Sequence, residues 1–301
     1  MKKLELTNPV FIEALAKFKT RLHTQGASTD QQYIKPNSIV EFLHYMEQNG
    51  KTKLDQINQK LVTNYFGYLM TRPLRTKEGF MSAGYLNKHR EALLRFIEFV
   101  RNAKQGKSGV KIRVIKKEDI PKVILTEEEA REVLDSFDET IIDIRDKAII
   151  SLLYGCGLRK GELFTLDVQD IDLSKGQLHL PKTKTKYARK VPLTKTIQEN
   201  IENYLFNVRN LMLDATSNED SFLITVRGTE MKKPTMATIM NRINSRLTIG
   251  KRIGCHMLRH SIGTHLHRFM KLEDVATFLG HRNYDSTMIY THLKNEYYGD
   301  K

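Results

Sequence analysis

Cysteine is scarce in this sequence. Cys156 and Cys255 are the only two in 301 residues, too few for a metal cage built on thiolates. The first sixteen residues carry charges where a secretory leader would need an uninterrupted apolar core. A reducing, cytoplasmic location is therefore the expectation. No run of eighteen apolar residues occurs anywhere, so a membrane-spanning helix is excluded on length. Internal repeats and low-complexity tracts are missing too. Acidic residues are in the minority, 35 Asp and Glu against 49 Lys and Arg, a formal charge of +14. A field of that sign attracts polyanions, and nucleic acid becomes the leading partner class. Charge alone does not decide the matter, because a cytosolic protein can be basic without touching nucleic acid.

What is present fits two domains better than one, given 301 residues with 40% hydrophobic content. Residues 1–103 read as a helical domain. "NPVFIEALAKFKTRL" brings Phe11, Leu15, Phe18 and Leu22 to one face, "SIVEFLHYMEQNG" stops at Gly50, and "YLNKHREALLRFIEFV" repeats through Leu86, Leu93, Phe96 and Phe99. Residues 104–122 contain seven Lys or Arg against two acids, with two glycines, and read as a basic interdomain linker. Residues 123–301 form the second domain, opening where Thr126 and Glu129 fit a capping box. Its body is mainly helical. The exception is "GQLHLPKTKTKYARKVPL", where Leu178 and Leu180, then Val191 and Leu193, alternate as in a hairpin, and "FLITV" at 222–226 is a candidate further strand. The fold class is thus mainly α with a small β-sheet, an α+β arrangement.

Four stretches carry the chemistry. In "LLYGCGLRKGELFTL" a hydrophobic helix breaks at Gly155 and Gly157 just before Arg159, and Glu162 follows one turn later. A dinucleotide reading of these glycines fails, because such a fingerprint must follow a strand. "KTKTKYARK" holds five basic residues and no acid, and Lys182, Lys184 and Lys186 fall on one side of an extended chain. A hairpin tip of this kind reaches phosphates or a DNA groove, although a solvated turn explains such charge as well. In "CHMLRHSIGTHL" the spacing puts His256, Arg259 and His260 on one helical face. Two histidines four apart also suit zinc. That reading is poor, because Met257 stands where a zincin carries its glutamate base and Arg259 would place a permanent cation beside the metal. A guanidinium flanked by imidazoles suits a phosphoryl group instead. In "LEDVATFLGHRNYDSTMIYTHL" Gly280 ends a helix, His281 follows at once, and Asp285 or Ser286 caps a new helix carrying Tyr290. A phenol attacks only if cations or a base stabilise its phenolate, and the neighbouring motifs contain both.

In that order, Arg159, Lys184, His256-x-x-Arg259, His281 and Tyr290 resemble the tyrosine recombinase (phage integrase) superfamily, with "GCGLRKGEL", "HMLRH", "FLGH" and "IYTHL" nearly as the family writes them. The resemblance implies a SAM-like helical core-binding domain over 1–103 and a tyrosine-recombinase catalytic domain over 123–301. It implies site-specific recombination of duplex DNA through a 3′-phosphotyrosine and a Holliday junction, in integration and excision or in chromosome dimer resolution, with no metal and no nucleotide cofactor. By motif, Tyr290 is the nucleophile, Arg159 and Arg259 clamp the non-bridging oxygens, and His256 and His281 position the phosphate and assist the proton at Tyr290. Glu162 and His260 support these side chains. The family hairpin favours Lys184 over Lys182 and Lys186 as the residue that protonates the leaving 5′-oxygen, with Lys182, Lys186 and Arg189 left as DNA contacts. A nucleoid-associated homotetramer, or assembly with a related recombinase, is also implied, through a C-terminal tail for which Tyr297 and Tyr298 are candidate anchors. Because the chain starts almost directly at the core-binding helices, the simpler Xer-like type is expected. The competing readings are a type IB topoisomerase, a DNA-binding regulator without catalysis and, more remotely, a metallohydrolase.

Overall fold

The structure is a computed structural model and describes residues 4–27, 29–74, 78–102, 109–116, 122–181, 188–213, 220–232, 235–281 and 285–298. The chain divides into two compact units, residues 1–120 and 121–301.

The first unit is built from α1 (Pro9–Thr24), α2 (Thr29–Gln48), α3 (Gln59–Thr71) and α4 (Ala83–Asn102). Asn8 caps α1 through its side-chain oxygen, which accepts from the amide of Val10 at 2.9 Å, and Pro9 sits at the first helical position where no donor is needed. Phe11, Leu15, Phe18 and Leu22 are buried as their spacing predicts, against Phe42, Leu43, Tyr65, Leu93 and Phe96 of the other helices. Part of the expected linker belongs to this unit. The amide and carbonyl of Lys111 pair with the Gln59 side chain at 2.8 and 3.0 Å, and those of Ile115 pair with Asn87 at 3.0 and 2.8 Å. Arg90 Nε adds a bond to the Ile112 carbonyl at 2.7 Å. Residues 110–115 therefore run along the helices, while 103–108 and 117–121 lie outside the described residues.

The second unit comprises α5 (Glu127–Asp135), α6 (Ile141–Gly155), α7 (Lys160–Leu163), β1 (Ile171–Asp172), β2 (Gln177–Leu180), β3 (Arg189–Pro192), α8 (Lys195–Glu202), α9 (Asn210–Met212), α10 (Thr235–Asn244), α11 (Cys255–Leu266), α12 (Leu272–Leu279) and α13 (Asp285–Tyr298), with a π-helical stretch joining α8 to α9 over Asn203–Arg209. The capping box at Thr126 and Glu129 forms in both directions. Helix α6 is charged in its first half, where Asp143, Arg145 and Asp146 are buried, and apolar in its second, where Ile149, Ile150, Leu152 and Leu153 lie in the core with residues of α8, α11 and the sheet.

The expected hairpin pairs Leu178 with Val191 and Leu180 with Arg189, and β1 extends it to three antiparallel strands in the order β1-β2-β3. "FLITV" forms no strand. The Phe222 amide donates to Leu166 while Leu223 accepts from Met231, so the segment bonds two different partners over single residues and no ladder propagates. Among the described residues no helix is long and apolar enough to cross a membrane.

Candidate active site

Three loops and helix ends of the second unit meet at the C-terminus of α12. Gly280 adopts φ +65°, terminating the helix in the left-handed conformation that glycine reaches without a Cβ penalty. The final carbonyls of the helix, which carry the negative end of its dipole, accept from three arginines. Arg189 Nε donates to Phe278 O at 2.9 Å, Arg259 Nη2 to Leu279 O at 2.6 Å, and Arg159 Nη2 to Gly280 O at 2.8 Å. Arg259 also donates to Gly157 O. Gly157, at φ +59°, makes the turn expected ahead of Arg159. Gly155 does something different: it lies inside α6, where a Cβ would stand 2.4 Å from Ile197 Cδ1, so its role is close approach to α8.

Glu162 ties two of these arginines together. Arg189 grips both its oxygens at 2.9 and 3.0 Å, Arg159 Nη1 reaches Oε1 at 3.0 Å, and the Arg159 amide donates to Oε2 at 2.8 Å. Burial alone would raise the carboxyl's pKa. The hydrogen bonds and charge of Arg189, followed by those of Arg159, outweigh that penalty and hold it at about 2. Arg259 is buried, and its desolvation, reinforced by the Arg159 charge, lowers its pKa to about 10, so it stays cationic at neutral pH.

Tyr290 packs beneath this cluster with 0% exposure. The His281 ring stacks on it, 12° from parallel with centroids 5.8 Å apart, and the His260 centroid lies at 5.9 Å. The phenol oxygen is buried and has no hydrogen-bond partner among the described residues. Burial raises its pKa, opposed by Arg259 and Arg159, so the resting side chain is neutral phenol under two cations that favour its ionised form. His281 bonds Thr287 Oγ1 through Nδ1 at 2.8 Å. Burial, then Arg259 and Arg159, bring His281 down to about 3, and burial with Lys122 and His256 brings His260 to about 4. Both imidazoles are neutral at neutral pH.

The structure thus brings together Arg159, Glu162, Arg259, His260, His281 and Tyr290. His256 stands at the rim, exposed, with its ring 6.5 Å from that of His260. Lys182, Lys184 and Lys186 lie outside the described residues. Arg189 is a correction: grouped with the DNA contacts on sequence, it has a side chain only 7% exposed and spent on Glu162 and Phe278. Strand parity held the signal, since Arg189 shares its side of β3 with buried Val191 while Lys190 faces out. Thr287 and Gly263 went unnoticed. Only the fold puts Thr287 against His281, or shows that a Cβ on Gly263 would come within 2.7 Å of the Tyr290 ring. His265 is turned away from the site and bonds Tyr154 and the Leu125 carbonyl. Among the described residues no group of three or more His, Cys, Asp or Glu could hold a metal ion.

The model of the phage integrase family matches residues 124–296, more than half of the chain and the whole of this site. The chain belongs to the phage integrase family. Within it the chain is a Xer-like tyrosine recombinase, similar to tyrosine recombinase XerC of Vibrio vulnificus, 30% identical over 287 residues that cover 93% of this chain and 84% of that protein. Tyrosine recombinase XerD of Oceanobacillus iheyensis is 28% identical over 273 residues, 89% of each. The family fold is shared with the XerH site-specific recombinase in its post-cleavage complex with palindromic difH, at a TM-score of 0.74 and 19% identity over 98% of this chain and 89% of that one.

Proposed function

We propose that this recombinase cuts and rejoins duplex DNA at specific sites, with Tyr290 as the nucleophile. The observation that carries this reading is the convergence of the Arg159 and Arg259 charges and the His281 ring on one buried tyrosine, whose hydroxyl has no hydrogen-bond partner among the described residues. Attack of the Tyr290 oxygen on a backbone phosphorus forms a 3′-phosphotyrosine and breaks the bond to the 5′-oxygen, which leaves as a hydroxyl after taking a proton from Lys184. The 5′-hydroxyl of a partner strand reverses the step. The phosphotyrosine conserves the energy of the broken phosphodiester, so rejoining requires no ATP. Arg159 and Arg259 offer fixed charge to the non-bridging oxygens, where negative charge grows in the transition state. Neutral His281 and His260 can accept or relay the phenol proton, and His256 at the rim donates to the incoming phosphate.

Residues 1–103 are the core-binding domain in this proposal, 104–122 connect it, and 123–301 hold the catalytic centre. The assembly is a tetramer on DNA in the nucleoid, linked through the C-terminal tails, and its task is chromosome dimer resolution or movement of a mobile element. Similarity to XerC and XerD over most of the chain favours the recombinase over a topoisomerase or a silent regulator.

Incubation with nicked duplexes tests the reading. A covalent protein–DNA adduct should form in EDTA and be lost in Tyr290→Phe. An adduct that survives the substitution, or one that EDTA abolishes, would overturn it.

A further inference from the structure

Arg189 joins two of the candidate catalytic motifs, the one around Glu162 and the one at the end of α12. Its guanidinium takes both oxygens of Glu162, at 2.9 and 3.0 Å, while Nε holds the last turn of α12 through Phe278 O at 2.9 Å. It also runs directly against Gly280, where a Cβ would come within 2.8 Å of its Nη1 and 3.1 Å of Cδ and Cζ. One side chain thus joins β3, α7 and the Gly280–His281 turn. The Arg189 side chain is 7% exposed and that of Arg159 27%. Arg189 spends Nε and both Nη nitrogens on Phe278 O and Glu162.

The single charge of Glu162 is contested by two arginines. A carboxylate prefers a forked, two-bond guanidinium partner. If Arg189 were removed, the fork would pass to Arg159, already 3.0 Å from Oε1, drawing it toward Glu162 and away from Gly280 O. We infer that Arg189 is a positioning residue: by occupying both oxygens of Glu162 it leaves the Arg159 guanidinium available to the DNA phosphate. This rests on the assignment of Arg159 as a phosphate ligand and goes beyond it.

The test measures adduct formation on a nicked duplex that the wild-type chain has selected from a random-sequence pool. Arg189→Met should bind this duplex as wild type does in a gel shift, yet form adduct about a hundredfold more slowly, the cost of a small misplacement at a reacting centre. Its rate optimum should move to more alkaline pH, because Arg159, one of the two cations that favour the ionised form of Tyr290, is drawn away. Adding Glu162→Gln removes the carboxylate that captures Arg159, so the double variant should recover speed and regain the original pH profile. A merely structural Arg189 predicts the opposite, a double variant as slow as Arg189→Met or slower, and that result overturns the inference. Arg189→Lys keeps the charge but offers a point contact in place of a fork. It supplies an arm that does not depend on Arg189→Met folding: about a tenfold slowing, relieved by Glu162→Gln, is expected, and wild-type rates in Arg189→Lys also overturn the inference. If the wild-type chain itself forms no Tyr290-dependent adduct, the catalytic assignment falls and takes the inference with it.

Discussion

His281, His260 and His89 share one electrostatic condition. Burial disfavours their cationic forms and puts their pKa values at about 3, 4 and 4 in the fold, against about 6.5 in the unfolded chain. Between those limits the unfolded chain binds protons that the folded chain refuses, so their contribution is fully present above pH 6.5 and is lost as pH falls toward 3. Glu162 acts in the same direction at lower pH, since its folded value of about 2 lies below the usual carboxylate range. We expect melting temperatures to fall steadily from pH 7 to pH 4.5, with a shallower fall in His281→Gln. A melting temperature that is flat over this range would refute neutral burial of these rings. In the proposed reaction the imidazoles therefore start neutral at neutral pH, and the arginines carry the positive charge.

At the scale of elements, Tyr290, the proposed nucleophile, is held by the fit between α11 and α13. Gly263 presents no side chain toward the Tyr290 ring, and a Cβ there would stand 2.7 Å from Cε1 and Cζ and 3.1 Å from Leu279 Cδ1. Val275, Leu279, Leu293 and Ile124 close the other sides of the same apolar cluster. Gly263→Ala should cost roughly 1–3 kcal/mol through overpacking. Because the ring must move, adduct formation should fall by more than the stability loss explains while DNA binding persists. Equal effects on folding and cleavage would show that Tyr290 tolerates the shift. The amphipathic faces of α1 and α4, the capping box at Thr126, the stop at Gly280 and the hairpin were all legible in sequence, because each depends on contacts a few residues apart. "FLITV" departs from its β-prone sequence for the opposite reason: such a segment becomes a strand only if one partner runs beside it, and here two partners divide it.

At the scale of the molecule, the C-terminal tail rests on its own chain. The Arg268 guanidinium lies 4.2 Å over the Tyr298 ring, and His265 meets that ring edge-on at 6.2 Å. The Tyr297 side chain lies outside the described residues. In the proposed assembly, a tail anchored on a neighbouring copy through Tyr298 would exchange these contacts for contacts with that copy. Truncation after Asn295 should abolish the slowest-migrating complex in a gel shift while a faster monomer–DNA complex remains. Unchanged tetramer formation would remove the tail from the assembly. The charge of +14 bears on any such complex, since phosphate neutralisation makes its affinity fall steeply with salt.

The sequence by itself determined the helical character of both units, the order of the motifs and which residue types stand at the candidate site. Periodicity, capping and chemical type are local properties, and the pattern Arg159, His256-x-x-Arg259, His281, Tyr290 needs no coordinates to be read. Only the tertiary structure decided which charges stay open to solvent and which are enclosed. Arg159 and Arg189 both bond Glu162, yet one side chain is 27% exposed and the other 7%. That difference depends on a carboxylate 27 residues away from Arg189 and on a helix end 89 residues away. A guanidinium takes its role from the acceptors within about 3 Å of it, and folding alone selects them.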